Sequence, residues 1–269
     1  MKKHCLDLTV NAVERLNERY VLLRLTDDKP LPEMLPGQFV EVRIDETPTV
    51  FLRRPISICF VDSNSHELWL LVAMIGNGTR WLGTLKAGDK VNCVLPLGNG
   101  FSNPCGETTG LGTTENGGAG HKPLLIGGGV GVAPLLYLGA TLQAAGIEPT
   151  FLLGGRSAKD LLLLNEFKKY GRVCITTEDG TLGEKGFVTN HSVLADSFDK
   201  IYTCGPTPMM KAVARYATAN NIECEASLEN MMACGLGACL CCVEKTTEGN
   251  LCVCKEGPVF NIKRLLWQD

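Results

Sequence analysis

Apolar positions divide this chain into two regimes. Over residues 1–102 they come in short runs with strand-like alternation, predicting strands at 20–25, 39–44, 52–60 and 68–74, the second introduced by the turn pair Pro36-Gly37. Several short strands at close spacing predict a small β-barrel. Residues 103–121 are rich in Gly and Thr with little that can pack, so they read as a flexible loop or linker where a domain boundary belongs. Beyond them the rhythm alternates. Strands are predicted at 124–126, 150–153, 173–176 and 200–203, with helices reaching about Ala145 and Tyr170 and another over 208–220. That order predicts a doubly wound parallel α/β sheet over 103–222. Residues 223–269 break the alternation and read as a small separate module organised by a metal centre, since so short a piece has little core of its own.

Composition narrows the classes. With 45% hydrophobic and 20% charged residues the chain is ordinary for a globular protein, and a net charge of −3 offers no basic field to nucleic acid. The N-terminus reaches Asp7 before a secretory h-region can form, which favours a cytoplasmic protein. In a reducing compartment its thirteen cysteines do not imply disulfides, and Cys59, Cys93, Cys174 and Cys224 sit in apolar runs as core residues. Residues 123–147 carry no charge and are long enough for a membrane span, but six glycines in the run favour a strand, a turn and a buried helix.

The chemistry concentrates in three motifs. Cys234, Cys239 and Cys242 have Cys-x4-Cys-x2-Cys spacing, the plant-type pattern of a [2Fe–2S] cluster, with Cys252 or Cys254 as fourth ligand and Cys241 spare. A structural zinc site competes, but zinc ribbons favour two Cys-x2-Cys pairs and only one is present here. Next, Gly127-Gly128-Gly129-Val130-Gly131 follows a strand and opens a helix, where glycines admit a phosphate to backbone N–H groups. It does not match the dinucleotide fingerprint in any register, and Gly154-Gly155-Arg156-Ser157 stands where the ribose-binding acid is expected. Arg156 and Ser157 leave NAD against NADP open. The third motif is Leu52-Arg53-Arg54-Pro55-Ile56-Ser57. Adjacent arginines suit a pyrophosphate, although a solvated edge strand would also carry them. Gly76-Asn77-Gly78-Thr79 opens a short helix nearby and points to a second dinucleotide. None of the four histidines sits in a motif, and no nucleophilic triad is evident, so cofactors would carry the chemistry.

In this order the motifs resemble the ferredoxin-reductase superfamily. Within it the chain is similar to the electron-transfer subunits of type B dihydroorotate dehydrogenases, on Pro36-Gly37-Gln38-Phe39, the Arg-Pro-Ile-Ser segment, Glu178-Asp179-Gly180, Cys204-Gly205-Pro206, Ser227-Leu228-Glu229 and Cys254-Lys255-Glu256-Gly257-Pro258-Val259-Phe260. The resemblance implies FAD in the barrel: Arg54 at the pyrophosphate, Pro55, Ile56 and Ser57 beside the flavin, Leu71, Val72 and Ala73 lining it, and Gly78 and Thr79 at its phosphates. It implies NAD at Gly128, Gly129, Gly131 and Pro134, with Cys204, Gly205 and Pro206 near the nicotinamide. It selects Cys254 as the fourth cluster ligand. It further implies an FMN-containing dihydroorotate dehydrogenase catalytic subunit as partner, in a heterotetramer of two of each, with the cysteine module at their interface near Met231 and Met232. Similar subunits serve hydrogenases, sulfite reductases and ferredoxin–nucleotide transhydrogenation. A non-redox zinc scaffold is the reading from another class.

Overall fold

The computed structural model describes residues 2–45, 49–103 and 120–267. Most of the predicted loop, from 104 to 119, lies outside the described residues.

Six strands close a barrel: β1 (His4–Arg15), β2 (Tyr20–Thr26), β3 (Phe39–Val42), β4 (Arg54–Asp62), β5 (Glu67–Ala73) and, after a short helix α1 (Asn77–Leu82), β6 (Lys90–Leu97). Their order around the barrel is β1-β2-β5-β4-β3-β6. Strand alternation serves two cores at once. On β2, Val21, Leu23 and Leu25 fill the barrel, while Tyr20 and Leu22 face a second core shared with the following domain. On β3, Val40 and Val42 point inward, and Phe39 packs outside with Leu97, Cys242, Val253 and Cys254.

The second unit comprises β7 (Pro123–Gly128), α2 (Ala133–Ala144), β8 (Thr150–Gly155), α3 (Leu164–Phe167), β9 (Arg172–Thr177), β10 (Glu184–Lys185), β11 (Lys200–Cys204), α4 (Thr207–Ala219) and β12 (Glu223–Ser227). After it come a hairpin of β13 (Val243–Thr246) and β14 (Gly249–Cys252), one turn of helix α5 (Val253–Glu256), and β15 (Val259–Asn261). The large sheet runs β10-β9-β8-β7-β11-β12-β15, parallel except for β15 against β12. The tail is therefore not wholly apart, because its strands β12 and β15 extend this sheet.

One stretch follows the sequence reading and one helix departs from it. The uncharged run 123–147 is β7, a 3-10 turn at Gly129–Val132, and α2, a helix of 12 residues. That helix is apolar all round because it is enclosed by barrel and sheet. Tyr137 donates a hydrogen bond to the Met34 carbonyl at 3.0 Å. Among the described residues no helix is long and apolar enough to cross a membrane. The helix expected up to Tyr170 shrinks to the four residues of α3, because Leu163 adopts a left-handed φ of 55° just before it. Buried Leu162 and Phe167 satisfy the core on either side of that break.

One buried cation ties the end of the barrel segment to the sheet. Lys200 Nζ donates to Ser102 Oγ at 2.6 Å and lies 3.0 Å from Glu223 and 3.6 Å from Glu225. Glu225 in turn accepts from the Ser102 N–H at 3.0 Å. Replacing Lys200 with Met should destabilise the fold by about 3 kcal/mol, because Glu225 is left buried without its cation. A urea midpoint that moves by less than about 1 kcal/mol equivalent would show the network to be dispensable.

Candidate functional site

A cavity of about 260 Å³ lies where barrel, sheet and tail meet. Pro55, Ile56 and Ser57 of β4, Leu71 and Ala73 of β5, and Thr79 of α1 line one side. Val130 and Ala133 close another, and residues 228–232 with Pro258 close the third. The Val72 side chain does not line it. Strand alternation turns that residue into the barrel core, where it is fully buried. The sequence reading missed Glu229, which faces the cavity space although the surrounding walls desolvate its carboxyl and push its pKa up. The Ser-Leu-Glu motif was the available signal.

The adjacent arginines separate in role. Arg53 is a strap: its guanidinium donates to the carbonyls of Glu41 at 3.2 Å and Asn92 at 3.0 Å, and to the Asn92 side chain at 2.5 Å. Arg54 donates only to the nearby carbonyls of Leu52 and Arg53, at 2.8 and 3.0 Å, and makes no ion pair among the described residues. It packs on Gly78, where a Cβ would come within 2.8 Å of Arg54 Nε. The cation thus lies beside the start of α1, next in the chain to Pro55 on the cavity wall. Largely apolar walls, the hydroxyls of Ser57 and Thr79 and an unpaired cation at the edge suit a flat redox ring with a phosphate tail, a donor set that fits FAD.

A second cavity, of about 520 Å³, opens at the C-terminal ends of the parallel strands. Gly128 and Gly129 line it, with Gly154, Gly155 and Arg156 after β8, Thr176 and Glu178 at β9, and Pro206, Pro208 and Met209 at α4. This is where open α/β sheets bind dinucleotides. Four expected contacts lie elsewhere. Gly131 packs the turn against the next loop, since a Cβ there would fall 2.5 Å from the Gly205 backbone. Gly205 underlies the wall against Met209 and Gly128, Pro134 is buried at the start of α2, and Cys204 is wholly buried. Burial pushes the Cys204 thiol pKa well up, and its sulfur lines neither cavity. Two features were not foreseen. Arg19 and Tyr20 reach in from the barrel. Two acids line this cavity, Glu178 just after the third strand and Asp160, whose carboxylate accepts from Ser157 N at 3.1 Å and Oγ at 3.2 Å.

The cysteine loop begins beside the first cavity. The Cys234 sulfur accepts from Leu236 N–H at 3.3 Å, Cys254 from Gly237 N–H at 3.1 Å, and Cys242 from Cys254 N–H at 3.3 Å. Gly235 and Gly237 hold left-handed φ of 65° and 80°, which turns these N–H groups inward. The Leu236 N–H, first among several donors, pulls the Cys234 thiol down to about 6, while burial raises that of Cys254. The loop thus brings backbone N–H donors to the sulfurs of Cys234, Cys242 and Cys254. A loop that stabilises thiolates, with Cys-x4-Cys-x2-Cys spacing and a distant fourth cysteine, fits a two-iron cluster better than one zinc ion. Cys241 is exposed and Cys252 half-buried, and neither accepts a backbone hydrogen bond among the described residues.

Comparison with known proteins agrees with this arrangement. Residues 229–266 match the family described as the iron–sulfur cluster binding domain of dihydroorotate dehydrogenase B, and residues 125–215 the oxidoreductase NAD-binding domain. The electron transfer subunit of dihydroorotate dehydrogenase B (NAD(+)) from Shouchella clausii (strain KSM-K16) is 40% identical over 84% of this chain and 85% of its own length. That from Bacillus velezensis (strain DSM 23117 / BGSC 10A6 / LMG 26770 / FZB42) is 36% identical over 96% and 97%. Among solved structures, a chain of an NADH-dependent reduced ferredoxin-NADP oxidoreductase superposes with a TM-score of 0.83 at 26% identity, covering 97% of this chain and 90% of that one. Cytochrome b5 reductase and flavohemoglobin chains share the fold at 17% and 16% identity, with TM-scores of 0.64 and 0.60. With barrel, parallel sheet and cysteine loop all in place, the chain belongs to the family of electron transfer subunits of dihydroorotate dehydrogenase B.

Proposed function

We propose that this chain takes electrons from a partner catalytic subunit that oxidises dihydroorotate to orotate at an FMN, and passes them to NAD⁺. It does so through a [2Fe–2S] cluster held by Cys234, Cys239, Cys242 and Cys254 and an FAD held in the barrel. The observation that carries this reading is contiguity: residues 228–232 wall the first cavity, and the thiol loop continues directly from them at Cys234. A one-electron centre and a flat redox cofactor then stand side by side, with the nucleotide cavity beyond. When bound, the cluster supplies single-electron transfer, and FAD links it to the two-electron chemistry of a nicotinamide.

The chain's own residues bind and orient. Arg54 neutralises pyrophosphate with a planar fork matched to phosphate oxygens. Ile56, Leu71 and Val130 exclude water from the ring site, and the Ser57 hydroxyl gives it a polar contact. Gly128 and Gly129 let a dinucleotide's phosphates approach the backbone, where the turn at the end of β7 opens α2. The backbone N–H groups of Leu236 and Gly237 stabilise thiolates at Cys234 and Cys254. We place the assembly, two copies of each subunit, in the cytoplasm and in pyrimidine biosynthesis.

Co-expression with an FMN-containing dihydroorotate dehydrogenase subunit should yield a complex with dihydroorotate:NAD⁺ activity. Stable assembly with a different redox partner and none with this one would overturn the partner assignment. Cys239→Ala should abolish the visible iron–sulfur absorption yet leave NADH oxidation by artificial acceptors within about twofold, because cluster and flavin occupy separate sites; concurrent loss of FAD would contradict that. Arg54→Ala should weaken FAD binding roughly 10- to 100-fold, the worth of a charge-assisted phosphate contact, as read by flavin content after gel filtration. Unchanged retention would remove Arg54 from the phosphate site.

A further inference from the structure

Glu41 is a buried acid that the electron path described above does not use. It sits in the middle of β3, between Pro55 of β4 and Val94 of β6. Its neighbours Val40 and Val42 point into the barrel, so its side chain points out, toward the cysteine loop. Only 1% of the residue is exposed, and neither carboxyl oxygen has a hydrogen-bond partner among the described residues. Such a group is costly to keep unless it serves a purpose. Burial, the largest influence on it, lifts its pKa to about 7. Two cations oppose that shift, Arg53 and Arg54, but neither bonds the carboxyl: Arg53 donates to the Glu41 and Asn92 carbonyls and the Asn92 side chain, and Arg54 to the carbonyls of Leu52 and Arg53.

What the carboxyl meets is Gly235, the residue that follows Cys234. A Cβ at that position would fall 2.7 Å from Glu41 Cγ and 3.1 Å from Oε1. The glycine therefore lets the loop lie directly on the acid as well as supplying the left-handed turn. Leu97 of β6 packs on the same glycine, with its Cδ1 3.1 Å from that Cβ position, so the acid and an apolar side chain together floor the loop.

We propose that Glu41 sets the electrostatic environment of the cluster, so that the barrel lowers the reduction potential of the centre bound by the neighbouring loop. The proposal rests on the reading that Cys234 and its partners hold a [2Fe–2S] cluster. Reduction adds one electron to that centre and hence one negative charge beside a buried carboxylate. In a low-dielectric setting the two repel strongly, and the oxidised form is favoured. Glu41 is a positioning residue in this sense: it touches the loop and acts on the cluster through the field.

The test is an EPR-monitored redox titration of the purified complex with its cofactors, at about pH 9 where carboxyls are ionised. Glu41→Gln keeps the shape and removes the charge, and should favour cluster reduction at least tenfold, a rise of about 59 mV for a one-electron couple. Glu41→Met adds no N–H donor and should shift the potential in the same direction, which separates charge from a new hydrogen bond. Flavin content should stay unchanged in both. An unchanged or lowered potential in either variant overturns the proposal. So does loss of the cluster in both, since the acid would then serve assembly. An iron-free wild-type complex would instead defeat the cluster assignment itself, and iron analysis distinguishes the two failures.

Discussion

The antiparallel pairing of β12 with β15 is the constraint on which the redox centre depends. Ala226 lies opposite Phe260, and the Leu228 N–H donates to the Pro258 carbonyl at 2.9 Å. The chain between these points carries all four candidate ligands. Its two ends are held by a sheet that is stable for other reasons, so much of the entropy of closing the loop is offset before any metal binds. The free end is held again from the barrel, where the Asn99 N–H donates to the Gly257 carbonyl and its side chain to the carbonyls of Lys255 and Glu256. A loop anchored at both ends by the sheet and the barrel qualifies the expectation of a module organised by metal alone.

The same economy of elements appears in the core. Phe39, Leu97, Cys242, Cys254 and Phe260 share one hydrophobic cluster, so the outer wall of the barrel is also the inner wall of the thiol loop. The apolar helix α2 works in the same manner on the other side, packing against both barrel and sheet through Tyr137, Phe60 and the leucines of its buried faces. Electron transfer falls steeply with distance, so centres held on shared walls are more useful than centres on domains that tumble independently.

Much of this was legible in the sequence because it is local. Four barrel strands, four of the six parallel strands, α2 and α4 follow from short apolar runs and the glycines that bound them. Cysteine spacing pointed to the loop, and only the family resemblance favoured Cys254 over Cys252. What escaped was non-local. β1 and β6 complete the barrel by pairing with each other from opposite ends of the segment, a match such as Leu6 with Cys93 that no window contains. The roles of Arg53 and Arg54 are indistinguishable in the string Arg-Arg-Pro and diverge only when Asn92 meets one of them. Val72 and Gly131 sit inside motifs that border the cavities, yet the pleat turns Val72 into the barrel and the Gly205 loop packs on Gly131. Glu178 lines the nucleotide cavity from just beyond the neighbouring strand, not from the strand where an acid was expected.

The turn after β7 has a dual position. Gly128 and Gly129 face the nucleotide cavity, while Val130 and Ala133 face the other. A partition a few residues thick cannot be altered on one face alone, so mutations there would disturb both ligands together. The far rim, around Arg156, Asp160 and Glu178, borders the nucleotide cavity alone, so a substitution there can alter that cavity without reshaping the other.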